Sequence, residues 1–264
     1  GQAVLMSAPT LNQILGTLEM LAPLEGSAEW DNTGLLLEGS GSDIRNILLT
    51  LDLTPAVAAE AKRLGSSMIV SYHPPIFGGL QELTQSDPMQ AALLSLIRQG
   101  IHVYSPHTAL DAAPEGLSDW LADCFDSREV LPHEGSGRIM SLGTAVSLND
   151  LTRIWSAYLQ TPYLRVAAPE GRSKKIRTLA LCPGAGASAL AGLQVDAVLT
   201  GEMKHHDILR WQRAGTAVVL AEHGHTERPY LTVLRKRMMS RLPGVRIAVS
   251  KKDREPLNLV LPDA

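Results

Sequence analysis

Residues 68–79 read Met68-Ile69-Val70-Ser71-Tyr72-His73-Pro74-Pro75-Ile76-Phe77-Gly78-Gly79. The apolar run at the start of this stretch predicts a short buried strand. Proline disfavours the helical conformation in the residue before it, so we expect His73 to be extended at the end of the strand. In open α/β sheets, ligands bind in the crevice outside the carboxyl ends of the strands. The stretch therefore predicts a sheet that presents His73 to a ligand, although a single histidine is more often structural.

Helix-like and strand-like segments alternate around this stretch. An alanine-rich helix is predicted over 55–64, and a second helix over 87–99 leads to a strand over 101–104. This alternation predicts an α/β fold with mostly parallel strands. Charged and glycine residues gather over 126–138, which indicates a boundary between two parts. Beyond it, strands are predicted over 139–146, 164–168, 176–182, 197–200, 216–221 and 245–250.

Composition excludes several classes of protein. With 45% hydrophobic and 19% charged residues, the 264-residue chain can bury a substantial core. The formal charge of −3 gives no electrostatic footprint for nucleic acid. Cys124 and Cys182 form no CxxC motif, and we expect reduced thiols in a cytoplasmic protein. No apolar run has the ~20 residues of a membrane span. We expect residues 1–5 to be left over from cloning, with Met6 as the native start.

Imidazole and carboxylate side chains follow three predicted strands. Besides His73, the spacing places His107 four residues before Asp111, and His223 four residues before Glu227. On a helical turn, residues four apart face the same side and can bind one metal ion. Imidazole with carboxylate suits zinc, iron or manganese. Each pair alone also occurs on ordinary solvated helices, but three such sites at strand ends favour a metal centre.

Five ligands exceed the needs of one catalytic zinc and suit two divalent ions that share a carboxylate. Such a centre lowers the pKa of a bridging water molecule and supports hydrolysis. Glu202 and His206 are our candidates for proton transfer during catalysis. The Gly-Ala-Gly-Ala-Ser run at 184–188 is either a phosphate-binding turn or a plain connection from strand to helix. Trp30 either lines the cleft or belongs to the core.

Five motifs, in this order, resemble those of one protein family. They are Asp-Asn-Thr-Gly-Leu at 31–35, Ser-Tyr-His-Pro-Pro-Ile-Phe at 71–77, Tyr-Ser-Pro-His-Thr-Ala-Leu-Asp at 104–111, Thr-Gly-Glu-Met-Lys-His-His-Asp at 200–207 and Glu-His-Gly-His-Thr-Glu-Arg at 222–228. The chain is identified on these motifs as similar to the NGG-interacting-factor-three-like (Nif-three-like) family, also described as GTP cyclohydrolase I type 2 homologues. The motif sequences resemble those of the eukaryotic branch most.

The resemblance implies a two-lobed, three-layer α/β/α fold with mixed, mostly parallel sheets. The first lobe would comprise residues 6–127 and 201–264 and carry the metal site, and 128–200 would form a smaller inserted lobe. The resemblance also implies a dinuclear centre of His73, His107, Asp111, His223 and Glu227, with Asp111 as the bridge. Homo-oligomers, often hexameric rings, are implied as well.

One position departs from the family pattern, because Tyr72 stands where many bacterial members have histidine. A neutral phenol is a poor metal ligand at pH 7. We therefore expect one weak metal position, unless His206 or His225 supplies the missing nitrogen.

The leading functional prediction is a metal-dependent hydrolase acting on a nucleotide or phosphoester. Two other hypotheses stay open: a metal-bearing scaffold that acts through protein partners, as in transcription, and a protein for metal storage or delivery. Binding to membranes or directly to nucleic acid is not expected.

Overall fold

A computed structural model describes residues 7–171 and 175–263, so the expectations about residues 1–5 and Met6 lie outside the described part. The helices are α1 (Leu11–Leu21), α2 (Pro55–Arg63), α3 (Pro88–Arg98), α4 (His107–Ala112), α5 (Leu117–Ala122), α6 (Leu148–Leu159), α7 (His205–Arg213) and α8 (Tyr230–Arg241). The strands are β1 (Gly34–Leu37), β2 (Asn46–Thr50), β3 (Met68–Ser71), β4 (His102–Ser105), β5 (Ser127–His133), β6 (Gly137–Val146), β7 (Arg165–Ala167), β8 (Ile176–Leu181), β9 (Ala197–Thr200), β10 (Ala217–Leu220) and β11 (Arg246–Val249).

The first sheet has the strand order β1-β4-β3-β2-β11. Strands β4, β3, β2 and β11 run parallel to one another, and β1 pairs antiparallel with β4 at the edge. Side chains alternate between the faces: Leu49 and Val70 join the main core, whereas Leu48 packs under α2 and α3. These two helices begin where the sequence predicts, because Thr54 and Asp87 accept hydrogen bonds from backbone N–H groups three residues later.

The second sheet has the order β5-β6-β8-β9-β10-β7. Its centre, β8-β9-β10, is parallel, and antiparallel strands flank it on both sides. Strand β10 pairs with β9 in this sheet, so the chain returns to the first sheet only with β11. The segment after β10, which carries His223 and Glu227, therefore lies at the end of the second sheet. The division into lobes at 6–127 with 201–264 and at 128–200 stays a prediction.

One apolar core joins the two sheets, with α1, α4, α5, α6 and α8 contributing to it. Separate, smaller clusters cover the outer face of each sheet. The prediction of an α/β fold with two mixed sheets is confirmed. Strand β5 was missed, because none of its side chains is fully buried and it has no apolar face of its own; pairing with β6 forms it. No helix of the described ranges is long and apolar enough to span a bilayer.

Candidate metal centre

Both sheets deliver candidate ligands from the carboxyl ends of their strands. His73 follows β3, and its backbone N–H still donates to the carbonyl of Leu51, which holds it extended beside the neighbouring chain. His107 is the first residue of α4, directly after β4. His223 and Glu227 flank a short 3-10 turn, Gly224–Thr226, that follows β10. The helical turns expected for the two His-x-x-x-acid pairs are therefore present, and the site lies between the two sheets.

Three of the five predicted ligands converge closely. His73, His223 and Glu227 place one ligand atom each within 4.8 Å of one another. The two imidazole Nε2 atoms are 3.3 Å apart, and Glu227 oxygens lie 3.1 Å from His73 Nε2 and 2.6 Å from His223 Nε2. Nitrogen atoms bound to zinc at ~2.0–2.1 Å in a tetrahedron are separated by roughly 3.3 Å. The spacing therefore fits a shared divalent ion.

Two further observations support that fit. Glu227 is buried, and within the described residues its Oε1 makes no hydrogen bond of standard geometry; its close contact is the ion pair with His223 Nε2. A buried carboxylate oxygen whose hydrogen bonding is incomplete is costly, and a bound cation would complete it. Opposite this oxygen lies Gly184, where an added Cβ would come within 2.6 Å of Glu227 Oε1 and 2.8 Å of His223 Nε2. Glycine thus leaves room directly beside the ligand atoms.

Each histidine of the site is held on its other nitrogen by a carboxylate. His73 Nδ1 lies 2.8 Å from Asp52, and His223 Nδ1 lies 3.3 Å from Glu202. His107 Nδ1 lies 2.7 Å from the buried carboxylate of Asp31. Such contacts fix the proton on Nδ1 and orient Nε2. For His73 and His223, this aims Nε2 at Glu227.

The roles of Asp31 and Asp52 were missed by the sequence analysis. Asp31 belongs to a motif that resembles the family's, but its sequence neighbours indicate only a turn. It lies 76 residues from His107, and Asp52 lies 21 residues from His73. A carboxylate at the end of strand β2, one strand away from His73, was the available signal for Asp52, because β2 and β3 are parallel neighbours.

Ion pairs between largely buried side chains shift the pKa values of the site residues. Burial alone would lower the pKa of His73, but hydrogen bonds to Asp52 and Glu227 outweigh it and raise the pKa to about 10. The close contact with the Glu227 carboxylate is the largest influence on His223 and raises its pKa to about 9. Burial would raise the pKa of Glu227, yet contacts with the two histidines lower it to about 2. Protonated imidazoles would neutralise Glu227 in the absence of an ion, and a bound cation would displace their Nε2 protons.

His107 and Asp111 lie next to this trio in one cavity of about 510 Å³, which Glu227 and Gly184 also line. The His107 ring centroid is 5.3 Å from that of His73. Neither His107 nor Asp111 belongs to the close group of ligand atoms. Instead, Asp111 accepts hydrogen bonds from Tyr72 Oη at 2.5 Å and from Ser136 Oγ at 3.1 Å.

The Tyr72 hydroxyl therefore donates a hydrogen bond to one oxygen of Asp111, the carboxylate that the resemblance implies as the metal bridge. Burial raises the pKa of Asp111 to about 7, despite this hydrogen bond. Burial, together with the charges of Asp111 and Glu227, also raises the pKa of Tyr72 well above its ordinary value. The phenol stays protonated at neutral pH and acts as a donor to Asp111.

The other predicted residues divide between the site and the surface. Glu202 contacts His223, as described. His206 is exposed in the first turn of α7, its ring lies against that of His205, and it lines neither cavity beside the trio. His225 points its Nδ1 to Thr161 Oγ1 and the carbonyl of Ala221. The 184–188 run turns from β8 into a 3-10 helix, Gly186–Leu190, and Gly184 is the part of it that reaches the ligands.

Comparison with known proteins agrees with this fold. A profile described as Duf34/NIF3 (NGG1p interacting factor 3) matches residues 9–256. "Protein NIF3 homolog" of Schizosaccharomyces pombe is 41% identical, over 86% of this chain and 90% of its own length. "NGG1-interacting factor 3" of Saccharomyces cerevisiae is 34% identical, over 87% of this chain and 90% of its own length.

Solved structures give the same result for the fold. HcgD from Methanocaldococcus jannaschii, in its reduced form, superposes with a TM-score of 0.82 at 25% identity, covering 92% of this chain and 98% of its own. Hypothetical protein SA1388 of Staphylococcus aureus superposes with a TM-score of 0.81 at 21% identity, covering 96% and 100%. The resemblance that the motifs indicated is thereby confirmed, and the chain belongs to the Duf34/NIF3 (NGG1p interacting factor 3) family.

Proposed function

We propose that this protein is a metal-dependent hydrolase that acts on a nucleotide or another phosphoester. One observation carries the proposal: His73, His223 and the buried carboxylate of Glu227 converge on a cavity of about 510 Å³. A site of two imidazoles and one carboxylate is typical of catalytic metal centres that leave a position open for water or substrate. When bound, a divalent ion supplies Lewis acidity and lowers the pKa of water toward neutrality.

The side chains of the protein have distinct tasks in this proposal. His73 and His223 present Nε2 to the ion, and Asp52 and Glu202 keep the protons on their Nδ1 atoms. Glu227 supplies the negative charge from a buried position. Glu202 is half-exposed beside His223, where it can also receive a proton from substrate or solvent. His206 keeps only its sequence-based assignment to proton transfer, because no contact with the site supports it.

A second metal position would use His107 and Asp111. Support comes from their place in the same cavity and from Asp31, which orients His107 as Asp52 orients His73. Zinc, iron and manganese all suit this set of donors. Two divalent ions a few ångströms apart stabilise both the attacking and the leaving oxygen in hydrolysis.

Replacing Tyr72 with histidine should raise the metal content from about one to about two ions per chain, because histidine supplies a nitrogen and frees Asp111 from the phenol hydrogen bond. Metal analysis after dialysis against a weak chelator measures this. The matched control is Tyr72→Phe, which removes the phenol without adding a nitrogen and should gain no metal. Equal metal content in the wild type and Tyr72→His would contradict the proposed weak position.

The hydrolase proposal is tested with the full chain, stripped of metal and reconstituted with manganese, iron(II) or zinc. Nucleotides and simple phosphoesters are screened for metal-dependent release of phosphate or alcohol. We expect turnover that Glu227→Gln and Asp111→Asn reduce by roughly 100-fold or more, because each removes a charge from the centre. Glu129→Gln, at an exposed position of β5, is the matched acid-to-amide control and should keep full activity. Full turnover in both site variants would exclude the mechanism.

A scaffold function is the second candidate. The Saccharomyces cerevisiae relative is named for its interaction with NGG1, and that name favours a role through protein partners. A stable partner in pulldown, bound equally well by the wild type and Glu227→Gln, together with no turnover in the screen, would favour the scaffold. The ring-shaped homo-oligomer and the cytoplasmic location stay predictions, and analytical ultracentrifugation tests the first of them.

A further inference from the structure

Two large aromatic side chains are exposed at the mouth of the metal-centre cavity. Trp30 is 65% exposed and Phe77 is 56% exposed. The chain contains two phenylalanines and four tryptophans, and one of each is exposed beside this cavity. Their ring centroids are 6.3 Å apart and their planes meet at 68°, which forms an open corner. Both rings line the cavity that contains His73 and Glu227.

The backbone on both sides of the corner is anchored. The carboxylate of Asp31, next to Trp30, binds His107 and accepts hydrogen bonds from the backbone N–H and the hydroxyl of Thr108. Asn32 then donates its Nδ2 hydrogen to the carbonyl of Ile76 at 2.6 Å, which ties the Trp30 segment to the Phe77 segment. The rings are therefore exposed on fixed supports.

Covering an exposed apolar ring with a ligand favours binding, because it removes apolar surface from water. Aromatic side chains bind planar rings by stacking on a face or by edge-to-face contact. A corner between two rings offers both contacts to one planar ligand. Trp30 is also in edge-to-face contact with the His107 ring, at 5.9 Å between centroids, so the corner adjoins the candidate metal centre.

We propose that the corner of Trp30 and Phe77 binds a planar heteroaromatic ring of the substrate, such as a nucleobase, while the phosphate end of the substrate faces His73, His223 and Glu227. This inference rests on the proposed function, because it names the substrate class of the same site. Stacking accepts any base, so the corner selects for a flat ring and not for a particular hydrogen-bonding edge.

The test compares AMP with ribose 5-phosphate, which lacks the ring, as ligands of the manganese-loaded full chain in calorimetry. We expect the wild type to bind AMP more tightly, and Trp30→Ala and Phe77→Ala to weaken AMP binding roughly 10- to 100-fold. Binding of ribose 5-phosphate should not change. Trp30→Phe should restore most of the AMP affinity. Met20→Ala removes an equally exposed apolar side chain from α1 and should have no effect. Metal content is measured for every variant.

Unchanged AMP affinity in both alanine variants overturns the inference, and so does an equal loss for AMP and ribose 5-phosphate. Should Trp30→Ala lose metal through its contact with His107, Phe77→Ala decides, because its ring contact is with Trp30. The hydrolase proposal can fail separately. If nothing is hydrolysed but AMP binding depends on both rings, the inference stands and the hydrolase falls. If phosphoesters are hydrolysed with no preference for an aromatic ring, the hydrolase stands and the inference falls.

Discussion

Replacing Gly184 with alanine is expected to weaken metal binding about 100-fold without removing a ligand, since displaced ligand supports have effects of up to this size. The new Cβ would lie 2.6 Å from Glu227 Oε1 and 2.8 Å from His223 Nε2, so both ligands must move. The backbone of Gly184 cannot shift to relieve these contacts, because hydrogen bonds hold it. The N–H of Gly184 donates to Thr226, and its carbonyl accepts hydrogen bonds from the N–H groups of Gly201 and Glu202. Titration with zinc or manganese against a chelating dye measures the affinity.

Alanine at this position also has a backbone cost, because Gly184 has φ +60°. Gly215→Ala is the matched control: Gly215 has φ +83°, and no atom of the described residues lies within 4 Å of the added Cβ. Both variants should lose about 1 kcal/mol of unfolding free energy from the left-handed conformation. Only Gly184→Ala should lose metal affinity. Equal metal affinities in the two variants would show that Gly184 has no role at the ligands.

Replacing Arg138 with alanine is expected to lower the free energy of unfolding by about 3–5 kcal/mol, because it leaves several buried carbonyl oxygens without a donor and breaks an ion pair with the partly exposed Asp119. Arg138 is only 1% exposed. Its Nε donates to Asp119 at 2.7 Å, and its other nitrogens donate to carbonyls of the β5–β6 turn and of α4, namely those of Gly135, Gly137, Asp111 and Ala112. One side chain thus joins the helix that carries His107 to the second sheet.

Urea unfolding measures this loss, and Arg153→Ala is the control. Arg153 pairs with Asp150 on the surface, where both side chains are largely exposed, so its loss should cost less than about 1 kcal/mol. Arg138→Lys should recover only part of the stability, because a lysine ammonium cannot reproduce the planar fork of donors. A loss in Arg138→Ala as small as in Arg153→Ala would mean that the network contributes little.

Local sequence was sufficient for most elements of the fold. Buried strands such as β3 are short apolar runs between polar ends, and helices α2 and α3 begin at capping residues followed by proline. Strand β5 had no such signal, because a partner strand stabilises it. The assignment of β10 to its sheet depended on pairing with β9, which no local pattern contains.

The sequence by itself determined which side chains are available to the site. His73 before proline, and the four-residue spacings of His107 with Asp111 and of His223 with Glu227, follow from local geometry at strand ends. Tertiary structure decided which of them meet: His73 and His223 are 150 residues apart and come from different sheets, yet their nitrogens face each other at 3.3 Å. It also decided that Asp31 and Asp52 hold the imidazoles, that Tyr72 binds Asp111, and that Gly184 lies against Glu227. Hydrogen bonds and packing between distant segments act through space, so their partners are set only when the two sheets share one core.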